Sequence, residues 1–170
     1  MRTSVSFAVG MVTGMGFLMS MGFIHAPEHV PVEGASVSEE QGGVVPESEK
    51  TLAQKKELKG PTKTQGIEGV NTLMRLDLGE EFSCMKGKVL RARELSLGPE
   101  AVVAVHEHTH RPGMAYILEG EMTEVRNDGK GAQVRRAGEV SLERTGVAHY
   151  WENRSGSPAR ALVVDVVPLD

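Results

Sequence analysis

An all-β fold is what this sequence predicts: one small barrel carried behind an N-terminal membrane or signal segment and a flexible linker. Three observations carry that expectation. From about Gly66 onward, short runs of β-forming residues alternate with turn residues, and no convincing helical period interrupts them. Hydrophobic residues make up 39% of the 170, and aromatics are sparse, with one Trp, two Tyr and four Phe, which suits one core rather than two. No internal repeat is visible, so one barrel is expected and not a pair.

The elements follow in order. Residues 1–26 hold Arg2 as their only charge, followed by an uncharged stretch from Val5 to Ile24. Twenty residues of helix span about 30 Å, the hydrocarbon thickness of a bilayer. The stretch therefore reads as a signal peptide or an N-terminal membrane anchor, its length favouring the anchor. With Arg2 inside, the body is exported to a periplasmic or extracellular space in either case. Residues 27–65 read as a disordered linker: Pro27, Pro31, Pro46 and Pro61 punctuate Glu, Ser, Gly, Val and Lys with no apolar period. One short helix fits at Ser48–Lys59, stopped by Gly60, and its apolar content of Leu52, Ala53 and Leu58 makes it marginal alone.

Residues 66–170 form the barrel domain. Strands are expected at Thr72–Leu78, Lys88–Leu97, Ala101–His108, Met114–Leu118, Glu121–Arg126, Gln133–Arg136, Val140–Glu143, Ala148–Glu152 and Ala159–Val167. Asn127-Asp128-Gly129 is a hairpin signal.

Composition excludes some functions. The net charge is -4, and beyond residue 26 it is 18 Lys+Arg against 23 Asp+Glu, or -5, with no basic block. Nothing draws such a body to nucleic acid. Cys84 is the only cysteine, which rules out an internal disulfide and a CxxC site; a buried or half-buried small residue is expected there.

The segment Ala101-Val-Val-Ala-Val-His-Glu-His-Thr-His110 holds half of the six histidines. Alternation along a strand puts His106, His108 and His110 on one face, where imidazoles two residues apart can share one metal ion. A third ligand from another strand is supplied by His149.

Here the sequence resembles the cupin superfamily. Its first motif, G-x5-H-x-H-x3–4-E-x6-G, is registered by Tyr116-Ile-Leu-Glu-Gly120. The histidines are then His106 and His108, the glutamate position falls on Gly113, and the opening glycine position falls on Glu100. The second motif, G-x5-P-x-G-x2-H-x3-N, is matched by Gly138, Gly146, His149 and Asn153, with Arg144 in place of the proline. The resemblance covers roughly the last hundred residues. It implies a double-stranded β-helix, or jelly-roll, and a divalent metal (Fe, Mn, Zn, Ni or Cu) at His106, His108 and His149. It also implies a small-molecule ligand and a homodimer.

The missing glutamate leaves a neutral three-histidine site, which implies dioxygenase-like chemistry with iron first among the metals. The alternative is that another side chain fills the gap, and His110 and Glu143 are the candidates. Glu143 is also the candidate acid or base. Three neutral imidazoles leave a divalent charge uncompensated, which favours an anionic substrate. Trp151 shares the parity of His149, and Arg93, with Arg91, alternates along its strand; Trp151 and Arg93 are candidates for the substrate pocket. Asn153 is expected to fix backbone. The Arg111-Pro112-Gly113 turn is expected to open the wall where the glutamate is missing. Two function classes result: a metal-dependent enzyme, dioxygenase-like or isomerase-like, and a non-catalytic metal- or ligand-binding or sensing module. The only membrane contact expected is through residues 5–24, if they are retained.

Overall fold

The computed structural model describes residues 44–169. The proposed signal or anchor, and the linker up to residue 43, lie outside the described residues. Among those described, no helix is long and apolar enough to cross a membrane.

Eight strands carry the fold: β1 (Gln65–Asp77), β2 (Lys88–Glu107), β3 (Gly113–Glu119), β4 (Glu121–Arg126), β5 (Gly131–Arg136), β6 (Val140–Glu143), β7 (Ala148–Glu152) and β8 (Ala159–Pro168). A helix, α1 (Glu47–Gln54), precedes them, and a single-turn helix, α2 (Leu78–Glu81), follows β1. Every pairing is antiparallel, in the order β5-β4-β7-β2-β8-β3-β6, with β1 added on β2, and the sheet curls into a nearly closed barrel. The nine expected runs match these strands within a few residues, except that β1 starts earlier and two runs fuse.

The fused pair is β2. Its first half runs beside β8, from Lys88↔Pro168 to Leu97↔Ala159, and its second half beside β7, from Val102↔Glu152 to Glu107↔Ala148. The strand changes partners across Gly98-Pro99-Glu100, where Glu100 adopts φ 60°. That conformation is native to glycine, so the motif's opening glycine position keeps its geometry although its residue is changed. At the other end of that motif Gly120 has φ 72°, and a Cβ there would meet the Pro158 carbonyl oxygen at 2.6 Å.

The core is built from alternate residues of β2, β3, β7 and β8, including Leu95, Leu97, Val103, Ala115, Ile117, Trp151 and Val163. Val44 and Val45 join it from outside the barrel. This departs from the expected linker. From Val44 on, the chain is packed against the barrel, with Ala53 and Glu49 buried on α1. It is then tied down by bonds from the Val105 amide to the Pro61 carbonyl and from the Ala104 amide to the Thr64 hydroxyl. Two valines and one ion pair supply what the helix lacks alone. The helix also stops before Gly60, because the chain turns at Glu57, which has φ 59°. Cys84 is exposed, in a 3-10 turn at Ser83–Met85, contrary to the expected burial.

Candidate metal centre

β2 ends at Glu107, and the alternation that predicts three aligned histidines ends with it. His106 and His108 are buried on the inner face, while His110 lies in the following turn at φ 72° with its side chain exposed. His149 comes from β7, directly opposite His106 in the ladder. The ligand nitrogens of His106, His108 and His149 lie within 4.8 Å of one another. His149 Nε2 is 2.9 Å from His108 Nε2 and 3.2 Å from His106 Nε2.

The other ring nitrogen of each imidazole is held by an acceptor. His106 Nδ1 donates to the Ala104 carbonyl at 2.7 Å, His108 Nδ1 to the Arg111 carbonyl at 3.1 Å, and His149 Nδ1 to Glu124 Oε1 at 2.8 Å. A carbonyl or carboxylate oxygen accepts only, so Nδ1 carries the proton and Nε2 presents a lone pair. Burial, and then the neighbouring His149, lower the pKa of His106 well below its ordinary value and that of His108 to about 2, so both are neutral at pH 7.

Three lone pairs therefore face one another in a dry site. One proton could bridge only one of these contacts; a metal ion satisfies all three. The two contacts of His149 fit such an ion: nitrogens about 2.1 Å from one metal, meeting at roughly 90–100°, stand about 3.0–3.2 Å apart. Glu124 is the outer carboxylate that orients a metal-binding imidazole. It is fully buried, and accepts from Ser141 Oγ at 2.7 Å and Arg126 Nη1 at 2.6 Å. Burial alone would raise its pKa, but the bonds from His149, Ser141 and Arg126 hold it down to about 2. Glu107, also buried, accepts from the Thr109 and Gly146 amides and so pins the end of the histidine strand to the turn that feeds β7. Both motif glycines before His149 take left-handed backbone, Gly138 at φ 90° and Gly146 at φ 87°.

Next to the imidazoles lies a cavity of about 50 Å³, whose lining includes His106, His108, Arg93, Arg111, Glu143 and Trp151. Trp151 is buried in the core and meets His149 edge-on at 5.9 Å. Arg93 joins a cluster around Asp165 on β8. Asp165 accepts from Arg91 at 2.9 and 3.1 Å, from Arg111 at 2.9 Å and from Arg93 at 3.3 Å. Arg111 in turn grips Glu49 of α1 through two 2.6 Å bonds. Glu143 sits opposite Gly113 in the ladder, with Oε2 3.7 Å from His108 Nδ1, and it is not among the three side chains whose ligand atoms converge. Asn153 bonds the Gly98 and Ser157 carbonyls, fixing backbone as expected.

The wall at Gly113 is closed, against the expectation that it stands open. A Cβ there would meet the Val164 carbonyl oxygen at 2.5 Å and Asp165 Cβ at 2.9 Å. The family's glutamate is thus not merely absent; β8 occupies its space. Glu124, Asp165 and Glu49 escaped the sequence reading. Asp165 left a signal, a lone charge in the apolar run Ala161–Val167, whereas Glu124 and Glu49 left none, since their roles depend on register and docking.

A curled antiparallel sheet with three inward imidazoles at its centre defines a metal-site barrel. Residues 93–165 match the family model of the cupin domain, which supports a cupin domain over that segment. No curated protein matches the sequence. Among solved structures, the TT1209 protein of Thermus thermophilus is 22% identical, with TM-score 0.47, over 68% of this chain and 92% of that one. One from Thermotoga maritima, described as a predicted oxalate decarboxylase, is 19% identical with TM-score 0.41, over 61% and 97%. The CENP-C cupin domain of Drosophila melanogaster is 11% identical with TM-score 0.41, over 46% of this chain and 64% of that one, less than two thirds of its length.

Proposed function

We propose that the barrel holds one divalent metal ion at Nε2 of His106, His108 and His149 and acts on a small anionic organic molecule with dioxygenase-like chemistry. The carrying observation is the convergence of three unprotonated Nε2 atoms, each fixed by a hydrogen bond on its far side. Three protein ligands leave coordination positions for a substrate. A bound iron ion would supply oxygen chemistry, and zinc or nickel a Lewis acid.

The chain's own groups support an anionic ligand. Around Asp165 the guanidiniums of Arg91, Arg93 and Arg111 face two carboxylates, Asp165 and Glu49, and burial pushes the Glu143 carboxyl toward its neutral form. The three guanidiniums outnumber Asp165 and Glu49 beside the neutral imidazoles of His106 and His108. Val44 lines the cavity. Export of the domain is part of the same proposal and is supported by the first 26 residues of the sequence.

Metal content of the full chain, purified without an affinity tag or chelator, tests the reading beside a His149→Ala variant. The expected result is about one metal ion per chain, lost in the variant. A folded chain that stays metal-free after reconstitution contradicts it. Oxygen uptake by the iron-loaded chain on small carboxylates then separates turnover from a binding or sensing role, which would bind them and consume none.

A further inference from the structure

Among the described residues, two buried side-chain atoms have no hydrogen-bond partner: Arg93 Nε and Glu143 Oε2. Both residues line the cavity beside His106 and His108, and their exposures are 3% and 6%. Buried polar atoms are nearly always paired, and one left unpaired costs free energy unless a ligand or water meets it. Arg93 spends Nη2 on Asp165. Glu143 Oε2 finds no donor in His108, whose Nδ1 already serves the Arg111 carbonyl.

We infer that Arg93 and Glu143 form the recognition subsite for a short 2-hydroxycarboxylate, with Arg93 holding its carboxylate and Glu143 its hydroxyl. The inference rests on the three-histidine reading and assigns the substrate class of that same site. Arg93 Nε offers an N–H and calls for an acceptor, best an anionic one. Glu143 Oε2 calls for a donor, which a hydroxyl supplies.

Size narrows the choice. A cavity of about 50 Å³ holds about four water-sized spheres at roughly 10–15 Å³ each. That favours a ligand of few heavy atoms. Away from the imidazoles and the arginines the wall is mostly apolar, with Leu97, Val103 and Ile117. Glycolate is the smallest molecule that meets each demand.

The test is calorimetric titration of the detergent-solubilised, zinc-loaded full chain with glycolate, acetate and glycolamide. Wild type should bind glycolate at least tenfold more tightly than acetate, which lacks the hydroxyl, and than glycolamide, which lacks the charge. Glu143→Met should abolish the preference over acetate while leaving acetate affinity within about threefold. Arg93→Met should weaken both carboxylates at least tenfold. Zinc content is read on every sample. A chain that takes up no zinc overturns the three-histidine reading and this inference with it. Zinc uptake with no preference for glycolate in wild type, or with a preference that survives in a folded Glu143→Met, overturns the inference alone.

Discussion

Two clusters meet at one cavity, and they handle burial differently. Around His106, His108 and His149, each ring is fixed through Nδ1 and left unsatisfied at Nε2, so the cluster is complete only with a cation from outside. Around Asp165, permanent charges find protein partners, Arg91, Arg93 and Arg111 on Asp165 and Arg111 also on Glu49, drawn from β2, the β2–β3 turn, α1 and β8. The first cluster is organised for a ligand at some expense to the apo fold. The second ties β2, β8 and α1 together and leaves one unpaired N–H beside the cavity. Metal affinity and fold stability should therefore respond to different residues, and substitutions can separate them.

The largest effect on stability belongs to Asp165→Asn. Removing the shared carboxylate leaves the buried Arg93 and Arg111 and the part-buried Arg91 facing one partner, and breaking a buried ion pair of this kind costs about 3–5 kcal/mol. The urea midpoint should drop accordingly while the refolded chain keeps its metal stoichiometry. Burial alone would raise the Asp165 pKa, but Arg91, Arg93 and Arg111 hold it below the ordinary carboxylate value. Its contribution is thus full above the unfolded carboxylate's range, near pH 4, and fades as pH falls through the lower folded value. The acid limb of wild type should be steeper than that of Asp165→Asn; equal limbs would place the acid sensitivity elsewhere.

Glu124→Gln should act on the other cluster. It removes the carboxylate that orients His149, and loss of such an outer partner lowers metal affinity about 10- to 100-fold. A zinc competition assay checks this, and unchanged affinity would detach Glu124 from the site. Gly113→Ala probes the closed wall between the clusters. With the Val164 carbonyl 2.5 Å from the new Cβ, overpacking should cost about 1–3 kcal/mol with metal affinity retained. A stabilised variant would show that the wall is open after all. The smallest effect is Glu100→Gly, at the corner of β2. Relief of left-handed strain, about 1–2 kcal/mol, is offset by glycine's extra unfolded entropy, about 0.5–1 kcal/mol. A gain of up to about 1.5 kcal/mol should appear in the melting curve.

The strands were legible because turn chemistry and period-two runs are local: the boundaries of β4 and β6 follow directly from Asn127-Asp128-Gly129 and Val140–Glu143. The metal triad was legible because His106 at the end of β2 and His108 just beyond it keep the two-residue alternation, and the second motif locates His149. The arginine cluster was not. Asp165 meets Arg91 from a strand more than seventy residues away, and Glu49 meets Arg111 only once α1 docks. Helix α1 itself looked like part of a tether because its apolar content is three residues; Val44, Val45 and one ion pair hold it in place. Strand alternation also carried His110 too far, since β2 ends at Glu107 and the next residues turn.

The central claim is that Nε2 of His106, His108 and His149 forms one metal shell. X-ray absorption of the zinc-loaded full chain tests it most directly. The account predicts three imidazole nitrogens at about 2.0–2.1 Å, falling to two or none in His149→Ala. A shell with one imidazole, or one containing sulfur from Cys84, would contradict it.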